Sequence, residues 1–256
     1  MIIFEKEYFS LKKICDSGQV LLGWEEREDG SYYVTSLDKT AHCFETEDGV
    51  VIDCPASEDS FWANYFDFST DYAEIEKQAV GDEYLKEALA YGRGIRILRQ
   101  NIWEALFSFI ISQNNNIPRI TGSIRRIKDG SRVLPGPEEM YPVRERLRNC
   151  GLGYRDEYLI RLLEELHEGS RTLVFSEDTE KASAELKSIH GVGPKVADCV
   201  LLFGLHRMER CPVDTWMKKI FAAHYSGKKP GWTESPWAGY YQQVTFFYER
   251  TGGRNG

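Results

Sequence analysis

Hydrophobic and polar positions alternate with a period of two through much of the first sixty residues and follow a helical period after them. Tyr32-Tyr33-Val34-Thr35 come directly after the turn-forming Glu28-Asp29-Gly30-Ser31, His42-Cys43-Phe44 alternate, and Glu47-Asp48-Gly49 turns the chain into Val50-Val51-Ile52. Short runs rich in β-branched and aromatic residues, bounded by Asp-Gly turns, predict antiparallel strands of a small sheet. From about Ser57 onward the apolar residues fall on helical stripes: Ile102, Leu106, Phe109 and Ile110 on one, Leu159, Leu162, Leu163 and Leu166 on another. Gly151-Leu152-Gly153 and Gly191-Val192-Gly193 punctuate helices, and Lys228-Lys229-Pro230-Gly231 reads as a loop. The last six residues, TGGRNG, are expected to fray. The fold class is therefore α+β: a small N-terminal antiparallel β-sheet domain over residues 1–68, then an all-α domain over residues 69–256.

Composition narrows the class without naming a function. A chain of 256 residues with 42% hydrophobic content holds one sizeable core or two modest ones. No apolar run approaches membrane-spanning length, and the first ten residues are acidic where a signal peptide needs a basic flank, so a cytoplasmic protein with no membrane partner is expected. The six cysteines form no C-x-x-C pair, which gives no support to a zinc site or a four-cysteine iron–sulfur loop; neither a metal nor an organic cofactor is expected. The net charge of −8 argues at first against nucleic acid as a partner. Its distribution removes that objection: residues 1–90 carry 7 Lys and Arg against 21 Asp and Glu, whereas residues 91–256 carry 25 against 19.

The most informative stretch is residues 186–219, LKSIHGVGPKVADCVLLFGLHRMERCPVDTWMKK. Gly191-Val192-Gly193 makes a bend whose N–H groups face outward, and Pro194 suits the first position of a helix, where its missing N–H leaves nothing unpaired. A helix start of this kind cradles an anion, and Lys195 sits one residue inside it, so a phosphate and a nucleophile are the groups to look for. The order of parts is an apolar helix ending at Ile189, the bend, an apolar helix over residues 196–205, then Cys211-Pro212-Val213-Asp214. It resembles the helix-hairpin-helix motif (about residues 183–205) and trailing Gly/Pro…Asp loop of the DNA glycosylase superfamily that includes endonuclease III. A lysine after the hairpin proline marks the bifunctional members of that superfamily.

Three further motifs narrow the resemblance. Residues 106–121, LFSFIISQNNNIPRIT, residues 151–155, GLGYR, and Ser17-Gly18-Gln19 near the N-terminus resemble the eukaryotic-type 8-oxoguanine DNA glycosylases, and the likeness runs from about residue 9 to about residue 250. The resemblance implies an enzyme that flips a damaged base out of duplex DNA, excises it through a lysine Schiff base and then cleaves the strand by β-elimination. It also implies roles for residues. Lys195 would be the nucleophile, and Asp214 would support base departure and the cationic sugar that develops, though an aspartate there also suits the N-cap of the next helix. Gly18 would accept the N7–H that 8-oxoguanine has and guanine lacks, Gln242 would read the Watson–Crick edge, and Phe246 and Cys199 would sandwich the ring.

Asn114, Arg119, Tyr154 and Arg155 would meet the duplex. Asn114 would fill the vacated space, Tyr154 would wedge beside it, and the two arginines would pair with the acceptors of the cytosine left behind. Three consecutive asparagines are poor helix formers, which favours a functional reason for them. Gly191 and Gly193 would contact phosphate, and the carbonyls near Lys187, Ile189 and Val192 are candidates to hold a cation there. Trp216 stands where members of that family commonly carry a phosphate-contacting histidine; an indole keeps one N–H donor but brings no charge. The partner implied is double-stranded DNA containing 8-oxoguanine, met by a monomer. Two other functions stay open on the residues themselves: a glycosylase for another lesion such as an alkylated purine, and a non-catalytic helix-hairpin-helix DNA-binding module.

Overall fold

A computed structural model describes residues 1–252. The five strands β1 (Ile2–Phe4), β2 (Trp24–Glu26), β3 (Tyr32–Ser36), β4 (Lys39–Glu45) and β5 (Val50–Asp53) form one antiparallel sheet in the order β1-β5-β4-β3-β2. The helices are α1 (Leu11–Asp16), α2 (Asp59–Tyr65), α3 (Tyr72–Lys77), α4 (Glu83–Gly92), α5 (Ile102–Ser112), α6 (Ile117–Lys128), α7 (Pro137–Met140), α8 (Arg155–His167), α9 (Thr179–Lys187), α10 (Pro194–Phe203), α11 (Thr215–His224) and α12 (Ala238–Thr251). The three predicted strands are β3, β4 and β5, with Tyr32 opposite Cys43 and Cys43 opposite Ile52. The alternation missed β1 and β2, each only three residues long, and the six-residue α1 within the supposedly all-strand region. Such lengths are too short to establish a period. At the other end Thr251 closes α12 and Gly252 caps it in the left-handed conformation, so those two are ordered rather than frayed. The remaining four residues of that expectation lie outside the described residues. No helix among the described residues is long and apolar enough to cross a membrane.

Two cores result. Tyr32, Val34, Ala41, Cys43, Val50 and Ile52 on the inner face of the sheet pack against α1, α2 and Leu98. The larger core is built by the helices, and it draws in Leu21 from the N-terminal segment. At its centre α5 departs from the expected stripe: every residue from Trp103 to Ile111 is buried, Glu104 and Ser108 included. A helix apolar all round belongs in the middle of a bundle. Glu104 is accommodated there because Ser36 Oγ and the Leu37 N–H donate to its carboxylate at 2.8 and 3.0 Å, tying the β3–β4 turn to the central helix.

Arg96 fastens the remaining segments. Its side chain is 1% exposed, and the guanidinium donates to the carbonyls of Phe66, Asp67, Tyr8 and Thr70 at 3.0, 2.5, 3.1 and 3.0 Å. It also lies 4.3 Å from the Tyr72 ring centroid and 4.9 Å from that of Phe4. Four carbonyls, two of them fully buried, therefore depend on one cation. Arg96→Met should lower unfolding free energy by roughly 3 kcal/mol or more, since each acceptor left unpaired costs about 1–3 kcal/mol. Urea denaturation measures this, and a change under 1 kcal/mol would mean that water replaces the guanidinium at little cost.

Candidate active site

The helix-hairpin-helix is α9, a bend and α10. Asp178 caps α9 by accepting from the Lys181 N–H at 2.8 Å, and the Val192 N–H closes the bend on the Ile189 carbonyl at 3.0 Å. Helix α9 ends two residues before Ile189, and α10 two before Leu205. Gly191 is required on two counts. Its φ is +85°, and a Cβ there would stand 2.3 Å from Cδ2 of Tyr158. Pro194 occupies the first turn of α10 as expected.

A cavity of about 770 Å³ opens beside the start of α10. It gathers Lys195 and Cys199 from that helix, Asp214 from the loop before α11, Gly18 from the turn after α1, and Gln242 and Phe246 from α12. All six predicted catalytic and base-recognition residues thus line one space, although they span 229 positions of sequence from Gly18 to Phe246. Gly193 and Asn114 reach its rim as well. Lys195 is half-buried, with Nζ 5.5 Å from the Phe109 ring centroid. Behind it, burial pushes the Cys199 thiol up while Lys195 pulls it partway back, leaving a protonated thiol as the neighbour of the amine. Asp214 is indeed an N-cap: its Oδ1 accepts from the Met217 N–H at 2.9 Å, which fixes the carboxylate at the cavity wall.

One side of the cavity is framed by α12. Gln242 is 5% exposed, and its Oε1 has no hydrogen-bond partner among the described residues, a buried acceptor that only a donor entering the cavity satisfies. Its neighbour Gln243 was not foreseen. That side chain turns to the N-terminal segment and donates to the Ser17 carbonyl at 2.5 Å, immediately before Gly18. Gly18 has φ +87°, and a Cβ on it would lie 3.1 Å from both Phe246 Cε1 and Arg250 Nη1. Arg250, also unforeseen, lines the same cavity. The signal was available: 242, 246 and 250 recur every four residues on one helix face.

The predicted duplex-facing residues cluster on the surface between the hairpin and α6. Asn114 is exposed with φ +44°, and its Nδ2 donates to the Tyr154 hydroxyl at 3.3 Å; Tyr154 itself is 49% exposed. Arg119 is exposed at the first turn of α6, and its Nη2 lies 3.8 Å from where a Cβ on Gly153 would be. Arg155 is placed differently from the expectation. It is 3% exposed, and its guanidinium donates to the carbonyls of Leu152 at 2.9 Å and Asn114 at 3.0 Å, and twice to that of Gln113, once at 2.8 Å. A guanidinium held in this way shapes the Asn114 loop from beneath instead of facing a base. Two of the three asparagines also have local work: Asn115 donates to the Ile111 carbonyl, and Asn116 caps α6 by accepting from the Arg119 N–H at 3.0 Å. The hairpin joins this loop, because Gln113 Nε2 donates to the Gly191 carbonyl at 3.0 Å. Trp216 is 37% exposed at the cavity rim, edge-on to Phe246 with ring centroids 6.4 Å apart and with Lys219 Nζ 4.9 Å from its ring centroid. No group of three or more His, Cys, Asp or Glu among the described residues is placed to hold a metal ion.

Comparison with known proteins agrees with this geometry. A family model described as 8-oxoguanine DNA glycosylase, N-terminal domain, matches residues 1–106. The N-glycosylase/DNA lyase of Saccharomyces cerevisiae is 37% identical over 159 residues, 52% of this chain and 42% of that protein. A probable N-glycosylase/DNA lyase of Methanothermobacter thermautotrophicus is 30% identical over 198 residues, 64% of this chain and 61% of that protein. The chain therefore spans about half the length of these relatives. Among solved structures, MBOgg1 with a low-affinity DNA ligand superposes with a TM-score of 0.90 at 32% identity, covering 98% of this chain and 95% of that one. The Clostridium acetobutylicum 8-oxoguanine glycosylase/lyase, solved with double-stranded DNA containing cytosine opposite 8-oxoG, gives 0.89 at 31% identity over 99% of both chains. A 3-methyladenine DNA glycosylase from Archaeoglobus fulgidus shares the fold, with a TM-score of 0.74 at 17% identity. With identity above 30% along nearly the whole length of solved relatives, and with the cavity assembled from its motifs, this chain belongs to the 8-oxoguanine DNA glycosylase family within the helix-hairpin-helix superfamily.

Proposed function

We propose that the protein is a bifunctional repair enzyme that extrudes 8-oxoguanine from duplex DNA, preferably opposite cytosine, excises it, and then cleaves the strand. One observation carries the reading: the amine of Lys195, the carboxylate of Asp214 and a cavity of base-admitting size meet at the mouth of a hairpin suited to phosphate. The neutral Lys195 amine attacks the sugar carbon that bears the base. The new C–N bond forms as the bond to the base breaks, and the departing base takes up a proton. Ring opening gives the Schiff base, and loss of the adjacent proton expels the 3′ phosphate by β-elimination. Asp214, fixed by its capping bond, sits where positive charge develops on the sugar, so its field needs no reorganisation during the step.

Extrusion costs roughly a few kcal/mol, which the exposed Asn114 and Tyr154 offset by filling the gap. Arg119, whose guanidinium is free of protein hydrogen bonds among the described residues, is the group available to the acceptors of the unpaired cytosine. A single chain supplies every group named here, so the reading takes the enzyme as a monomer.

Two outcomes test this. Borohydride reduction during reaction with an 8-oxoguanine:cytosine duplex should trap a covalent adduct with wild type and none with Lys195→Gln; trapping that persists in the variant removes Lys195 as nucleophile. Asp214→Asn preserves the helix cap, since asparagine caps as well as aspartate, so thermal stability should stay within a few tenths of a kcal/mol while turnover falls about 100-fold. A variant turning over at the wild-type rate would reduce Asp214 to a cap.

A further inference from the structure

Arg250 completes the face of α12 that Gln242 and Phe246 begin. Its guanidinium carbon lies 5.2 Å from the Phe246 ring centroid, Nη1 stands 3.1 Å from the position a Cβ on Gly18 would take, and the side chain lines the cavity. Among the described residues it makes no hydrogen bond and no ion pair. Burial pushes its pKa down, with the charge of Asp16 opposing. A cation kept in a half-closed site without an acceptor costs free energy that an incoming acceptor returns.

We propose that Arg250 is a further base-recognition residue, donating to a carbonyl oxygen of the extruded 8-oxoguanine next to N7–H. The inference rests on the function proposed above and goes beyond it. If the N7–H of the lesion faces the Gly18 carbonyl, the atoms flanking it are O6 and O8, both acceptors. A fork of donors beside Gly18, with its carbon 5.2 Å over the face of the Phe246 ring, stands at this edge and meets one of them. Guanine offers acceptors at N7 and O6 on the same edge, so Arg250 supplies grip on a purine and Gly18 supplies the choice between purines. A backbone phosphate of the extruded nucleotide is the other acceptor within the same chemistry. An abasic site separates the two, because it keeps the phosphates and lacks the base.

The test compares single-turnover base removal from an 8-oxoguanine:cytosine duplex with strand cleavage at a preformed abasic site, for wild type and Arg250→Gln, with thermal melts alongside. Loss of a charge-assisted hydrogen bond should slow base removal at least about tenfold, leaving abasic-site cleavage within about twofold of wild type. Equal losses on both substrates would identify a phosphate contact and overturn the proposal, as would base removal at the wild-type rate. If Arg250→Gln does not fold, Arg250→Lys is read by the same criteria, since it keeps the charge and loses the planar fork. A wild type that leaves 8-oxoguanine in place overturns the proposed function together with this inference. Activity in wild type that is indifferent to both substitutions overturns this inference alone.

Discussion

A set of buried amide hydrogen bonds around one three-residue turn decides whether this molecule has a pocket at all. The other walls of the cavity come from helices and from the loops that lead into α6, α10 and α11, but Gly18 belongs to the N-terminal segment, and nothing in its own short turn would hold it against α12. Gln243 reaches from α12 to the Ser17 carbonyl at 2.5 Å, and Gln19 Nε2 donates to Ser17 Oγ and to the Arg96 carbonyl at 3.0 and 2.8 Å. The Leu98 N–H returns a bond to Gln19 Oε1 at 2.9 Å, and Gln100 Nε2 donates to the Gln19 carbonyl at 3.0 Å. Gln100 in turn donates its backbone N–H to Phe203 at the end of α10, the helix that carries Lys195. Amides buried this deeply cost about 1–3 kcal/mol for each bond left unmade, so the turn has few alternatives to the observed position. The arrangement spans both cores and keeps the glycine carbonyl and the lysine in one frame.

A second constraint holds the surface that would meet DNA. The Asn114 loop carries a positive φ on a residue that is not glycine, and such a conformation persists only where surrounding bonds over-determine it. Here Arg155 grips the loop through the Gln113 and Asn114 carbonyls, and Gln113 passes the restraint to the hairpin at Gly191. Tyr158 packs so closely on Gly191 that any side chain there would collide with it. The Asn114 loop and the hairpin bend are thus held as one hydrogen-bonded unit. Pre-formed groups of this kind give up little entropy on binding.

Much of this was legible in the chain, and the failures have physical causes. The hairpin bend, Lys195 and Asp214 lie within 24 residues and announce themselves by Gly, Pro and Asp at positions with strict backbone demands. The strands β3 to β5 were visible because Asp-Gly turns bound them. What the pattern could not convey was orientation. Gln242 and Gln243 are adjacent and chemically identical, yet one turns an unpaired oxygen toward the cavity while the other braces the Gly18 turn. Arg155 has the composition of a DNA contact and the burial of a structural residue. Helix α5 showed a stripe because its two buried polar residues, Glu104 and Ser108, interrupt an otherwise continuous apolar surface; their partners come from elsewhere in the chain or from the helix's own carbonyls. Arg250 followed the same four-residue repeat as its neighbours and went unnoticed because an arginine near a chain end is usually solvated.

The pocket also explains where selectivity and chemistry part company. Lys195 and Asp214 are each set by the first turn of a helix, through Pro194 and through the capping bond to Met217, and neither depends on the Gly18 turn. Under the proposed activity, choice between 8-oxoguanine and guanine falls to a backbone carbonyl whose aim is set by a φ of +87°. No side chain encodes that contact. It is encoded in the glutamines that hold the turn and in the absence of a Cβ that would press on Phe246 and Arg250. Loosening the braces would therefore widen the pocket's tolerance before it touched the nucleophile, because an acceptor free to turn away no longer penalises guanine for lacking the N7–H donor. Under that activity, fidelity would rest on how firmly the N-terminal segment is pinned to the helical domain.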